Sequence, residues 1–319
     1  MSLVALAINP IPSGAVVGNL RTPDGVSLRF ARWDATRPPI RGTICLLPGR
    51  GEFIEKYFEV VADLRRRGFV VAVLDWRGQG GSERRLADSR KGHIGSYAEY
   101  DRDLRAFMTQ VVLPECPPPY IALSHSMGGQ IMLRNAVQPD SWFERMVMTA
   151  PMIAIADKKV GYSPPLVRAV ARIGVALGQG RRYVPGGNRV SAEEVPFAAN
   201  ELTSDLERFN RNAAVLEAAP GLGLGSPTIG WLYASFNSMR RVGEPDYPLK
   251  VQRPLLLFAA GSDSIVSTLA IENFALRLKV GTHVLVPNSR HEILQEADNV
   301  RARFWAAFDA YLGLDRVAA

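Results

Sequence analysis

The sequence has few cysteines and no long uninterrupted hydrophobic run. Its 319 residues include two cysteines, Cys45 in an apolar run and Cys116 in a proline-rich loop, and neither belongs to a C-x-x-C pair. This pattern excludes a disulfide framework and a cysteine-rich zinc site. No run reaches the roughly 18 apolar residues of a membrane span, and Met1 to Asn9 lacks the basic region of a signal peptide. We therefore expect a reduced, cytoplasmic protein, with peripheral membrane contact left open.

A concentrated basic stripe is also missing, although the net charge is +7. Arginine pairs such as Arg84-Arg85 and Arg240-Arg241 are scattered among acidic residues, so no nucleic-acid surface is expected. Hydrophobic residues make up 47% of the chain, enough for a large core, and the length fits one α/β domain with or without an insertion. The expected partner is a small-molecule substrate, and the oligomeric state is left open.

Short apolar runs alternate with amphipathic helical patterns along most of the chain. Thr43 to Leu47, Phe69 to Leu74 and Tyr120 to Leu123 have the length of buried strands and end at turn-forming or small residues. Helical spacing follows each run, as in Ile54 to Arg67, which stops ahead of Gly68. This alternation predicts a mostly parallel sheet flanked by helices, with right-handed crossovers.

The alternation stops after Met146 to Thr149 and resumes at Leu255 to Ala259. The interval is rich in glycine and proline and shows helical patterns but no convincing strand. It predicts a helical cap of residues 151–250, inserted into an α/β core formed by residues 1–150 and 251–319. One helix of this cap is expected to carry an apolar face formed by Leu166, Val167, Val170, Ile173 and Leu177.

Ser126 is the candidate nucleophile, in the stretch Ser124-His125-Ser126-Met127-Gly128-Gly129. A strand pattern ends here and a helical pattern begins at once, which predicts a tight turn that exposes the serine hydroxyl above the sheet. Small flanking residues let the backbones approach closely, although Ser124 stands where the G-x-S-x-G motif has glycine. Taken alone, the motif is equally compatible with a helix-start turn in which Ser126 is the cap.

A serine nucleophile needs a base to accept its proton and an acid to orient that base. Of the four histidines, His291 lies in a loop just beyond a predicted strand, and Asp263 directly follows the strand that ends at Ala259. The carboxyl ends of parallel strands share one edge of a sheet, so we expect Ser126, Asp263 and His291 to lie together. Their order along the chain, serine then aspartate then histidine, matches that of enzymes whose nucleophilic serine lies at such a strand-to-helix turn.

An oxyanion hole must supply hydrogen-bond donors for the attacked carbonyl oxygen. We assign one to the backbone N–H of Met127, at the start of the predicted helix, and the other to the backbone N–H of Arg50 in the loop from Pro48 to Glu52. His291-Glu292 also begins like the zinc motif H-E-x-x-H, but Gln295 occupies the place of the second histidine. No metal and no cofactor are predicted.

These motifs resemble the α/β-hydrolase fold serine hydrolases, particularly the lysophospholipase and monoacylglycerol lipase-like family. The resemblance spans about Gly18 to Leu312, and Pro48 and Ser124 depart from its usual histidine and glycine. It implies an esterase that acts on monoacyl lipids through an acyl-enzyme. Its carriers are Leu47-Pro48-Gly49-Arg50-Gly51-Glu52, Asp75 to Ser82, Ser124 to Gly129, Gly261-Ser262-Asp263 and His291-Glu292.

Three alternatives stay open at this point. The resemblance implies that the apolar cap faces line an acyl-chain pocket, but such faces are equally suited to packing on the core. A serine aminopeptidase of the same fold would need cap acids such as Glu193, Glu194 or Glu201 to hold a substrate amine. Some members of the fold have lost catalysis and act as binding modules.

Overall fold

An eight-stranded sheet forms the centre of the chain, in a computed structural model that describes residues 2–156 and 163–314. Its strands are β1 (Val16–Arg21), β2 (Ser27–Trp33), β3 (Thr43–Leu47), β4 (Val70–Leu74), β5 (Tyr120–His125), β6 (Phe143–Thr149), β7 (Leu255–Ala260) and β8 (Gly281–Val286). The spatial order is β1-β2-β4-β3-β5-β6-β7-β8. The pairs β1–β2 and β2–β4 are antiparallel, and all other pairs are parallel. The predicted mostly parallel sheet is confirmed.

The central strands are buried on both faces, which explains their continuous apolar sequences. Within β3, Cys45 and Leu47 pack into one hydrophobic cluster, whereas Ile44 and Leu46 pack into a second cluster across the sheet. Alternate side chains of a strand point to opposite faces, so this one strand supplies both cores. The sheet is therefore a stiff base for any residue that directly follows a strand.

Helices cover both faces of the sheet. They are α1 (Phe58–Arg66), α2 (Ala98–Phe107), α3 (Leu113–Glu115), α4 (Met127–Asn135), α5 (Pro164–Ala176), α6 (Leu206–Ala218), α7 (Ile229–Val242), α8 (Thr268–Ala275) and α9 (Asp298–Leu312). A 3₁₀ turn at Ile54–Tyr57 leads into α1, and a π-helical turn at Met108–Val112 joins α2 to α3. In the part of the chain that the structure describes, no helix is long and apolar enough to cross a bilayer.

The segment between β6 and β7 holds α5, α6 and α7, and its described residues form no strand of the sheet. We call residues 151–250 the helical insertion. Side-chain oxygens of Asp205 and Thr228 accept backbone N–H bonds that cap the starts of α6 and α7. Four members of the expected apolar face of α5 are at least half exposed: Leu166 (51%), Val170 (58%), Ile173 (59%) and Leu177 (70%). The fifth member, Val167, is partly buried and packs against the core.

Candidate active site

Ser126 lies at a sharp turn between β5 and α4, with φ 49° and ψ −111°. Non-glycine residues rarely adopt a positive φ, so this backbone is held in a strained conformation by its surroundings. The approach is very close: a Cβ on Gly128 would lie 2.2 Å from the carbonyl oxygen of Leu47, and one on Gly129 would lie 2.7 Å from Cβ of Pro151. These contacts explain the two glycines after the serine.

Ser124, the departure from G-x-S-x-G, is a buried residue of β5. Its hydroxyl lies 3.5 Å from the carbonyl oxygen of Val147 on the neighbouring strand, at the outer limit of a hydrogen bond. The strand therefore accommodates the extra hydroxyl without displacing the turn that holds Ser126.

The structure brings the three predicted triad residues together from three separate strand ends. Nε2 of His291 lies 3.0 Å from Oγ of Ser126, and Nδ1 of His291 lies 2.7 Å from Oδ2 of Asp263. The other carboxylate oxygen of Asp263 accepts hydrogen bonds from the backbone N–H groups of Ile265 (2.8 Å) and Val266 (3.0 Å). The acid is thus fixed by its own loop and points one oxygen at the histidine.

The charges of this chain favour an imidazolium between the serine and the acid. Burial by itself would lower the pKa of His291, but the Asp263 carboxylate outweighs that effect and holds the pKa above its ordinary value. Burial would raise the pKa of Asp263, and the charge and hydrogen bond of His291 turn this into a net lowering. Asp263 therefore stays ionised while His291 gains and loses a proton.

The loop after β3 lies directly against the serine turn, since a Cβ on Gly49 would lie 3.2 Å from Cβ of Ser126. Two of its backbone N–H groups are already engaged: Gly49 donates to the Glu52 carboxylate, and Gly51 donates to Oε1 of Gln79 at 3.2 Å. Within residues 2–156 and 163–314, the N–H groups of Arg50 and Met127 have no acceptor. They are the two donors that the sequence predicts for the oxyanion hole.

Gln79 and Trp76, which the sequence analysis did not assign to the site, hold this loop in place. Nε2 of Gln79 donates to the carbonyl oxygens of Gly49 (2.7 Å) and Glu52 (3.2 Å), and Nε1 of Trp76 donates to that of Pro48 (2.8 Å). Both belong to the glycine-rich turn after β4, whose motif carried part of the family resemblance. That motif was the available signal for their role.

A cluster of buried charges, also missed from sequence, lies behind the loop. The ammonium of Lys56 is within 3.4 Å of Glu52, 2.9 Å of Glu193 and 2.5 Å of Glu292. Burial would lower the pKa of Lys56, but the three carboxylates hold it well above its ordinary value. Burial, together with the negative charges of Glu52 and Glu193, raises the pKa of Glu292 to about 7 despite Lys56.

The ring of His125 packs against that of His291, with ring centroids 4.7 Å apart. Nδ1 of His125 is 3.0 Å from Oγ1 of Thr149. Burial lowers the pKa of His125 to about 4, so its imidazole is neutral at pH 7. Donor atoms of Glu52, His125 and Glu292 lie within 4.8 Å of one another, a spacing that suits a metal ion. Lys56 contacts both carboxylates and already supplies a positive charge at this place.

Comparisons with known proteins agree with this architecture. A family model described as Hydrolase_4, serine aminopeptidase S33, matches residues 38–298. Lysophospholipase L2 of Escherichia coli strain K12 is 32% identical over 294 residues, which cover 88% of this chain and 82% of that protein. Monoacylglycerol lipase of Mycolicibacterium smegmatis is 26% identical over 281 residues, covering 86% and 89% of the two chains.

A solved structure of a soluble variant of monoglyceride lipase from Saccharomyces cerevisiae superposes with a TM-score of 0.74. It is 20% identical, and the match covers 95% of this chain and 97% of that one, which shows a shared fold. The motif-based resemblance is therefore confirmed by independent similarity. The chain belongs to the Hydrolase_4, serine aminopeptidase S33 family, and the prediction of a hydrolase with the α/β-hydrolase fold is confirmed.

Proposed function

We propose that the protein is a serine carboxylic-ester hydrolase that acts on monoacyl lipids, either lysophospholipids or monoacylglycerols, through an acyl-enzyme. The observation that carries this proposal is the continuous hydrogen-bond chain from Ser126 through His291 to Asp263 at a strained turn. Relatives named lysophospholipase L2 and monoacylglycerol lipase support the choice of an ester and of a single acyl chain.

The proposed reaction uses each of these groups in turn. Oγ of Ser126 attacks the ester carbonyl carbon while Nε2 of His291 takes the hydroxyl proton. The N–H groups of Arg50 and Met127 bind the oxyanion that forms. Collapse of this intermediate breaks the ester bond, and His291 protonates the leaving alcohol. A water molecule then repeats the sequence on the acyl-enzyme and releases the fatty acid, with Asp263 stabilising the imidazolium in both halves.

The aminopeptidase alternative is less well supported, because the insertion acids that would hold a substrate amine have other partners. Glu193 pairs with buried Lys56, and Glu194 pairs with Arg90 and accepts the backbone N–H of Ser191. Glu201 accepts a hydrogen bond from Ser264 at 3.1 Å. A non-catalytic binding role is also less well supported, since such a role does not require the serine, histidine and aspartate to be hydrogen-bonded.

We further propose that residues 151–250 act as a cap over the site of the core formed by residues 1–150 and 251–319. Three contacts across this boundary support the proposal: Glu193 with Lys56, the carbonyl oxygen of Gly225 with the guanidinium of Arg50, and the carbonyl oxygen of Leu202 with the N–H of Glu292. A cytoplasmic location stays a prediction, based on the two free cysteines. Peripheral membrane contact stays open.

A fluorophosphonate probe tests the nucleophile directly. The wild-type protein should be labelled at Ser126, and His291→Ala should be labelled at least 100-fold more slowly because the base is lost. Absence of labelling in the folded wild type, or full-rate labelling of His291→Ala, would contradict the proposal. Turnover of matched monoacyl lipids, short esters and aminoacyl amides then distinguishes the esterase from the aminopeptidase, since preference for the amides would exclude the lipid assignment.

A further inference from the structure

The partly buried side chain of Arg50 differs in its charge partners from two fully buried arginines, Arg29 and Arg77. Arg29 and Arg77 each form ion pairs with at least two acidic side chains. In the described ranges, Arg50 forms no ion pair, and its strongest electrostatic neighbours are tyrosines. An arginine with no anionic partner is costly to bury, because its charge is removed from water without compensation.

Among the described residues, the guanidinium of Arg50 contacts neutral partners of the helical insertion and no carboxylate. Nη2 donates to the carbonyl oxygen of Gly225 at 2.6 Å, and Cζ lies 5.1 Å from the centre of the Trp231 ring. Nε is buried and, among the described residues, has no acceptor. Burial lowers the pKa of this guanidinium to about 10, so it stays charged at neutral pH. A planar group with five N–H donors is thus left with unused capacity, on the residue that follows Gly49 in the loop packed against the Ser126 turn.

We propose that the Arg50 guanidinium binds the phosphate of a lysophospholipid substrate, so that Arg50 selects phosphate-bearing monoacyl lipids over neutral monoacylglycerols. This inference rests on the proposed function, because it assigns the substrate class of the same site. Arginine is well suited to the task, since its planar fork matches two phosphate oxygens at once. A neutral monoacylglycerol would leave the charge as uncompensated as it is in the free protein.

The covalent geometry of the substrate agrees with this assignment. The backbone N–H of Arg50 is the proposed donor to the ester carbonyl oxygen, and its side chain extends from the same residue. The covalent path from the ester carbonyl oxygen to phosphorus in a 1-acyl glycerophospholipid is only about one bond longer than the path from the backbone nitrogen to Cζ in arginine. The side chain of Arg50 is therefore long enough to reach a phosphate on a substrate whose carbonyl oxygen is bound by the N–H of the same residue.

A second arginine adds positive potential without competing for the phosphate. Nη1 of Arg84 donates to the carbonyl oxygen of Gly78 (2.7 Å), and Nη2 donates to those of Gly80 (2.9 Å) and Gly221 (3.1 Å), so both terminal nitrogens of its guanidinium are engaged. Burial lowers the pKa of Arg84 to about 10, and the positive charge of Arg50 is among the smaller effects that lower it further. The two guanidinium groups are therefore close enough to repel each other. Two neighbouring guanidinium charges favour an anion over a substrate amine as their partner.

The test compares kcat/KM for a lysophosphatidylcholine and a monoacylglycerol of the same acyl chain in wild type and Arg50→Met. Any effect on the oxyanion loop affects both substrates and cancels in their ratio. Loss of hydrogen bonds to a charged phosphate should lower the lysophospholipid-to-monoacylglycerol ratio by about 10- to 100-fold. Arg85→Met, which removes an exposed charge nearby, should leave the ratio within about twofold.

An unchanged ratio in folded Arg50→Met overturns the inference while leaving the esterase itself intact. If Arg50→Met does not fold, Arg50→Gln removes the charge and keeps two N–H donors, and the same fall in ratio is expected. Failure of the wild type to react with fluorophosphonate or with either lipid would instead contradict the proposed function, so the two failures are distinguishable.

Inorganic phosphate, tested as an inhibitor of short-ester hydrolysis, separates a lipid headgroup from a free anion. Inhibition that requires Arg50, with no change in the ratio between the two lipids, would overturn the headgroup assignment. Weak or absent inhibition together with the fall in ratio supports it, because the acyl chain then contributes to placing the phosphate.

Discussion

Strands β3, β4 and β7 of the sheet bury their apolar side chains, whereas α5 of the helical insertion leaves most of one apolar face in solvent. Every residue of β3, β4 and β7 is buried, but Val170 and Ile173 of α5 are more than half exposed. Close-packed surroundings fix side chains in one arrangement, and exposed faces do not. The difference indicates that the core holds the geometry of the reaction, while the insertion contributes mainly through its inner surface, at Glu193 and Gly225.

The largest expected effect is that of removing the nucleophile from the core. Ser126→Ala should lower kcat for a short soluble ester by roughly 10⁶-fold, because triad residues act as a unit. The matched control is Ser124→Gly in the same turn, which removes a weakly bonded hydroxyl and should keep both turnover and fluorophosphonate labelling. Steady-state rates above about one per cent of wild type in Ser126→Ala would assign the chemistry elsewhere.

Replacing the acid should affect both the rate and its dependence on pH. Asp263→Asn should reduce kcat by about 10⁴-fold, since the imidazolium loses its counter-charge and its orientation. Asp263 raises the pKa of His291, so its loss lowers that pKa. The base then stays unprotonated to lower pH, and the acidic limb of the kcat/KM profile moves downward.

A pH series of kcat/KM from pH 5 to 9 measures both effects of Asp263→Asn. The matched control is Asp309→Asn, which disturbs a partly exposed pair with Arg67 in the core far from the triad. It should leave the profile unchanged. An acidic limb that moves upward in Asp263→Asn would contradict the electrostatic role assigned to the carboxylate.

The junction between core and insertion should respond to loss of the buried Lys56. Lys56→Met leaves Glu52, Glu193 and Glu292 without their cation, and it should lower the free energy of unfolding by about 3–5 kcal/mol. Urea denaturation measures the change. Lys250→Met removes an exposed lysine paired with Asp246 and should cost less than about 1 kcal/mol. Equal costs for the two variants would show that the cluster is hydrated and weakly coupled.

The smallest expected effect concerns the exposed face of α5. Ile173→Ser should change the free energy of unfolding by no more than about 0.5 kcal/mol, because its side chain is 59% exposed. Val71→Ala in β4, which deletes fully buried methyl groups, should cost about 2 kcal/mol. Both are read from urea curves. A cost for Ile173→Ser as large as that of Val71→Ala would mean that the face is covered in solution.

Sequence patterns predicted β3, β4 and β7 to within one residue at each end, because buried parallel strands require short, continuous apolar runs that stop at turn formers. The predicted run from Met146 to Thr149 is three residues shorter than β6. The run from Thr43 to Leu47 coincides with β3, and that from Leu255 to Ala259 is one residue shorter than β7. The triad followed from the same logic, since Asp263 and His291 each come after a strand that ends at one shared edge. Local sequence patterns were enough to predict residues whose place in the fold is set by the strand they directly follow.

The same patterns could not locate groups that meet only through the tertiary fold. Lys56 and Glu193 lie 137 positions apart, and no local signal distinguishes this glutamate from the exposed acids around it. The periodicity of α5 correctly indicated an apolar face but not whether that face is buried. Hydrophobic spacing shows that a helix is amphipathic and does not show what it contacts. The lack of an acidic partner for Arg50 among residues 2–156 and 163–314 was likewise not predictable, because it depends on which residues the tertiary fold brings near the guanidinium.

Glu193 links the contact between the core and the helical insertion to the protonation of Glu292. The negative charge of this insertion residue helps to raise the pKa of Glu292, the neighbour of His291 in sequence, to about 7. Any displacement of the insertion that withdraws Glu193 and hydrates Glu292 lowers this pKa and releases a proton at neutral pH. The displaced form binds fewer protons, so it becomes more populated as pH rises through 7. For the proposed cap, displacement of residues 151–250 and ionisation of Glu292 are thereby thermodynamically coupled.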